Sequence, residues 1–251
     1  MRSRSSAILV MLLLIGTTAA AQGPWAKKEW KQWSKEDCKK ILEDSPWAQR
    51  WARAEPKMAE FSTSQTREGV GAESKLEVFY IIQFRSSLPI RQAIARQAQV
   101  QYNYDKMEPK DRAALDKQTD PIINATYDDR IIVFVQYGSN VQQYNSDLRR
   151  FWQNYPPGTV PQEAFLNTSS GKKISPLQMV APRGGEQAFS LIFPRIVDGE
   201  PVVKPGDKSF TIEFRSPAVI KQESQTTAVH TDRVYVEFKV EKMMFNGQLS
   251  Y

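Results

Sequence analysis

Few residues in this chain have the types and spacing that chemistry asks for. His230, beside Thr231-Asp232, is the one histidine, and Cys38 is the one cysteine. A Ser-His-Asp or Cys-His relay needs a nucleophile and an orienting acid brought to the imidazole. No spacing here supplies them, so His230 reads as a loop or strand-edge residue. A structural zinc site needs about four Cys/His ligands, more than the chain contains, and one cysteine excludes an intrachain disulfide. Asp128-Asp129 could hold a cation or share a proton, but neighbours in extended chain point apart, which favours a solvated turn. Ser169-Ser-Gly-Lys-Lys173 lacks the G-x-x-x-x-G-K-[ST] spacing of a phosphate loop and reads as a hairpin turn, as does Gly184-Gly185. Carboxylate-only hydrolysis needs just two well-placed acids, and 28 Asp+Glu keep it open without locating it. The residue types therefore assign no catalytic, cofactor or metal position.

Aromatic chemistry is more concentrated. Five of the six tryptophans, Trp25, Trp30, Trp33, Trp47 and Trp51, precede residue 52, and nine Lys/Arg against six Asp/Glu lie between Pro24 and Lys57. Rings ringed by lysines can attach to a membrane interface or a glycan. They can equally pack this head onto the rest of the protein. Trp25, Trp30 and Trp33 are the candidate surface-binding residues, and Trp47 and Trp51 are read as structural.

The elements that must position these rings begin at Ser34, an N-cap with acids following in the first turn. Asp37 can reach back as in a capping box, with Trp33 and Cys38 as the hydrophobic staple. That predicts a helix over 35–43 with Cys38, Ile41 and Leu42 inward. Ser45-Pro46 looks like a second start, predicting a short helix that carries Trp47 and Trp51 on one face.

The run Trp33-Ser-Lys-Glu-Asp-Cys-Lys-Lys-Ile-Leu-Glu-Asp-Ser-Pro-Trp-Ala48 resembles the N-terminal segment of a group of uncharacterised secreted bacterial proteins that opens with W-S-x-x-D…L-x-x-S-P-W-A. The resemblance implies an exported protein and no activity. It agrees with the first 21 residues. Arg2 and Arg4, the apolar stretch Ala7–Gly16 and Ala19-Ala20-Ala21 form a secretory signal in the right order, with an apolar stretch too short to span a bilayer. Cleavage would leave Gln22 first, in the periplasm or outside the cell.

Beyond a polar linker over 60–74, the chain reads as one domain, 75–251. Lys75–Arg85 and Arg130–Gly138 are apolar on both alternating sets, the mark of strands covered on both faces. Between them, amphipathic segments from Pro89 and Pro109 predict a helical insertion over about 89–120, expected to cover the outer face of that sheet, and a third helical piece spans 141–152. After Val160 the pattern becomes β. A hairpin pairs 164–167 with 174–180, Ala188–Pro194 is a strand, and Asp198-Gly199 is a two-residue hairpin signal. Phe210, Ile212, Phe214 and Val234, Val236, Phe238, Val240 alternate strictly, placing them inward and Thr211, Glu213, Tyr235, Glu237 and Lys239 outward. The expected fold is mainly β (α+β): an immunoglobulin-like β-sandwich with the helical insertion and an N-terminal helical head over 22–59.

The net charge of +6 becomes +4 without Arg2 and Arg4, a modest excess of which +3 lies in the head, and this argues against nucleic acid. The expected function is an exported, non-catalytic binding or structural module of the cell envelope or exterior, with an envelope protein, a glycan or a membrane surface as partner. The alternative is a secreted, glycosidase-like hydrolase using carboxylates.

Overall fold

Strands apolar on both alternating sets belong in the middle of a covered sheet, and two such strands form its centre. The computed structural model describes residues 23–55, 76–223 and 226–251, except for the side chains of 54–55 and 218–231. In chain order, α1 (Lys35–Glu43) precedes β1 (Ala48–Glu55) and β2 (Leu76–Phe84). Then come α2 (Leu88–Gln101), α3 (Pro109–Asn124), β3 (Arg130–Ser139), α4 (Gln142–Gln153), α5 (Val160–Glu163) and β4 (Ala164–Thr168). The rest is β5 (Lys173–Ile174), β6 (Gln178–Val180), β7 (Ala188–Pro194), β8 (Ile196–Val197), β9 (Glu200–Pro201), β10 (Ser209–Glu223), β11 (Thr226–Lys239), β12 (Met244–Phe245) and β13 (Gln248–Leu249). The chain is α+β, with its strands paired antiparallel.

One sheet runs β1-β2-β3-β7-β6 and another β11-β10-β4-β5. Their facing side chains share one core. Tyr80 of β2 meets Phe214 of β10 edge-on at 5.3 Å, and Phe84 meets Phe238 of β11 at 4.8 Å. Helix α4 adds Trp152, stacked on Phe189 at 4.2 Å and edge-on to Phe214 and Tyr80. The inward set on β10 and β11 is buried as its alternation requires. On the opposite face Tyr235, Glu237 and Lys239 are exposed, but Thr211 and Glu213 are buried. Asn167 of β4 donates to both of them, at 3.3 and 3.1 Å, and Arg233 pairs with Glu213 at 3.1 Å. Their alternation sets direction; the neighbouring strands remove the solvent.

Local chemistry builds α1 as expected. Ser34 Oγ accepts from the Asp37 N–H at 3.1 Å, and Asp37 accepts from the Ser34 N–H at 2.9 Å. The turn at Asp198-Gly199 also forms, both residues at positive φ, as a two-residue hairpin turn between β8 and β9 requires.

Three expectations change. The second short helix is instead β1, paired with β2 from Ala48↔Gln83 to Glu55↔Leu76. Ser45 Oγ does accept from the Trp47 N–H, at 3.2 Å, but the following Ala-, Arg- and Gln-rich residues yield to β2. An apolar strand with open backbone groups outweighs even this favourable helix propensity, a local preference of under about 1 kcal/mol per residue. The 164–180 hairpin splits, because β5 stays with β4 while β6 pairs with β7. Pro176 lies at the crossing, where it has no N–H to donate to a ladder. The helical insertion is longer than expected, since α3 runs through Pro121. Helix α2 packs against α1 and α3, and α1 is the helix that meets both β1 and β2. Head and insertion thus make one helical layer, tied to the sheet by Gln83 donating to the Leu42 carbonyl at 2.6 Å. The expected signal segment over 1–21 and the expected linker over 60–74 lie outside the described residues.

Candidate functional site

The helical layer encloses a cleft of about 450 Å³, within the size range of small-ligand sites. Each wall has a local cause. A one-turn 3₁₀ segment, Trp30–Gln32, carries Trp30 and Lys31 to one side. Helix α2 supplies Arg96 and Gln99, both buried. Asn103, in the left-handed region at φ 55°, reverses the chain after α2, and the next turn presents Tyr104 and Asp105. Helix α3 presents Asp116, Asp120 and Asn124, spaced four apart and therefore on one face, with Ile123 beside them.

Hydrogen bonds hold this arrangement. Buried Arg96 donates through Nε to the Trp33 carbonyl at 3.0 Å and through its two terminal nitrogens to Asp105 at 3.4 and 3.1 Å. One guanidinium therefore joins the head to the insertion. Its hydrogen bond keeps the Asp105 carboxyl below the usual range. Tyr104 donates to Asp116 at 2.7 Å, which raises the phenol's pKa. The cleft thus offers aromatic faces from Trp30 and Tyr104 and acceptor oxygens from three aspartates. Lys31 Nζ lies 5.7 Å from the Trp30 ring centroid.

The candidate tryptophans separate. Trp30 is half-buried and lines the cleft. Trp25 is half-buried and packs edge-on against Trp47 at 5.6 Å. Trp33 is 0% exposed, with its indole N–H donating to the Lys28 carbonyl at 3.3 Å. It leaves the surface-binding set, because the staple that starts α1 encloses its ring. The three rings form no common patch. Trp47 is also fully buried and donates to the Met243 carbonyl at 3.3 Å, while Trp51 lies against Tyr80 at 5.9 Å. Cys38 is buried, and burial pushes its thiol up to about 11, which makes it unreactive. Asp129 pairs with Arg130 at 2.7 Å in a solvated turn. The backbone of His230 pairs with Val219 in the β10–β11 ladder; its side chain lies outside the described residues.

Sequence reasoning missed Arg96, Tyr104, Asp105, Asp116 and Asp120. The one local signal was the i, i+4, i+8 spacing of Asp116, Asp120 and Asn124 on a helix whose adjacent stripe, Leu115 and Thr119, is buried. Among the described residues no group of three His, Cys, Asp or Glu is arranged to hold a metal ion, and no helix is long and apolar enough to cross a membrane. No family model, curated protein or solved structure matches the chain.

Proposed function

We propose that this protein is an exported, non-catalytic binding module of the cell envelope or exterior, and that the Trp30 cleft takes a glycan. The observation that carries the reading is a half-buried indole on a cleft whose polar side is three aspartates. A sugar ring presents a C–H face and a rim of hydroxyls. Indole covers the first by apolar contact, and carboxylates accept charge-assisted hydrogen bonds from the second. The three aspartates disfavour an anionic lipid surface, because the cleft's Arg96 is already engaged by Asp105. Export rests on the signal segment and on the resemblance of the 33–48 run. The two facing sheets, with a chain crossing between β5 and β6, are read as an immunoglobulin-like sandwich.

A glycosidase-like use of the same carboxylates has less support. Such an enzyme needs one carboxyl held protonated beside an ionised one, and Asp105, paired with Arg96, does not suit the acid's part.

Sedimentation of the mature protein with insoluble cell-wall glycan tests the reading. Trp30→Ala and Asp120→Asn should each reduce retention at least tenfold without unfolding the protein. Unchanged retention by both variants would overturn the glycan site. Release of reducing ends by the wild-type protein would instead establish the hydrolase. The intact mass of the exported form should begin at Gln22.

A further inference from the structure

Arg85 follows the last residue of β2, where its main-chain N–H donates to the Ile132 carbonyl at 2.8 Å. Its guanidinium lies 4.0 Å from the ring centroid of Phe134, on the face of the sheet away from the core. Its Nε is buried and has no hydrogen-bond partner. Among the described residues no carboxylate pairs with this guanidinium.

A second guanidinium repeats the pattern. Arg91, in the first turn of α2, spends Nη1 on the carbonyls of Ile122, Ile123 and Ala125 that end α3. It lies 5.5 Å from the Tyr127 ring centroid, and its buried Nε also lacks a partner. Burial draws Arg85 down to about 10, which still leaves it cationic at neutral pH. Arg195 donates through Nε to the Tyr127 carbonyl at 2.7 Å and is engaged through its terminal nitrogen by the Tyr251 carbonyl.

The rest of the molecule supplies the contrast. Arg50 has the same stacked geometry on the same sheet, 4.3 Å over Phe79, and is neutralised by Glu77 at 2.6 Å. Arg96 and Arg130 pair with Asp105 and Asp129. A desolvated guanidinium is costly without an acceptor, and an aromatic face offsets only part of that cost. A planar donor fork already fixed on a ring has lost its flexibility and suits a carboxylate or phosphate.

We propose that Arg85, held over the Phe134 ring, is a binding site for an oxyanion, a carboxylate or a phosphate, supplied from outside the chain. It uses none of the carboxylates of the acidic Trp30 cleft and does not depend on that reading.

The test is titration of the isotopically labelled mature protein with inorganic phosphate and, separately, with acetate, at ionic strength held constant with chloride. The Arg85 Nε–H resonance should shift saturably with at least one anion. Saturation by phosphate alone identifies a phosphate site, and by acetate alone a carboxylate site. In Arg85→Met the Kd should rise at least tenfold; Arg85→Lys, which keeps the charge and loses the fork, should fall between. Absence of a saturable shift with either anion, or an unchanged Kd in Arg85→Met, overturns the proposal. If Arg85→Met does not fold, the wild-type Nε–H shift and the Arg85→Lys Kd decide, an unchanged Kd in the latter counting against the site.

Discussion

Two groups of tryptophan from the same short stretch meet opposite fates. Trp33 and Trp47 are fully buried, and each gives its indole N–H to a main-chain carbonyl, of Lys28 and Met243 respectively. Trp30 comes three positions before Trp33 in sequence, yet lies half-buried on an acidic cleft. The difference teaches that a cluster in composition is not a cluster in function. What separates the rings is where the neighbouring backbone turns. Trp33 precedes a capped helix that closes over it, whereas Trp30 lies in a single 3₁₀ turn facing α2 and α3.

Truncation is the most forceful way to break the comparison. Trp47→Ala should cost about 3–5 kcal/mol, as for a core aromatic, and leave the Met243 carbonyl with the Ser250 N–H as its remaining donor. Denaturant unfolding measures this, and a loss below about 1 kcal/mol would remove Trp47 from the core set. Arg96→Met should cost about 1–2 kcal/mol, chiefly through the Trp33 carbonyl bond, since the Asp105 partner is 73% exposed and screened.

The same variant carries a pH signature. Asp105 has a lowered pKa in the folded protein. Its contribution is therefore present above the ordinary aspartate range and is lost as pH falls below about 4. Melting temperatures measured across that range should show a shallower acid limb in Arg96→Met than in wild type.

Ser34→Ala removes one half of the capping box and should cost about 1 kcal/mol, read from the same unfolding curves. Trp30→Ala sharpens the contrast with the smallest stability effect, under about 1 kcal/mol, but the largest effect on glycan retention. A Trp30→Ala protein as destabilised as Trp47→Ala would make the two groups one.

The legible parts of this fold share a property: their signals are local. The capping box at Ser34/Asp37, the positive-φ turn at Asp198-Gly199 and the alternation of Phe210, Ile212 and Phe214 involve residues within a few positions of each other. The residues of β1 also carried a local signal, for helix, and it was outvoted by β2, whose first residue lies 21 positions beyond the end of β1. The cleft was less legible still, because Trp30, Arg96, Tyr104 and Asp116 come from four segments that have no common spacing.

Sequence by itself therefore determined the α+β class, the inward faces of the principal strands and the start of α1, since each follows from periodicity or from hydrogen bonds within one turn. Tertiary structure alone decided that β1 is a strand, that Trp33 is enclosed while Trp30 is not, and that Arg50 has an acid beside it while Arg85 has none among the described residues. Those outcomes depend on which distant backbone supplies a partner or excludes water. A side chain's exposure and charge pairing are properties of the packed neighbourhood, which no local window contains.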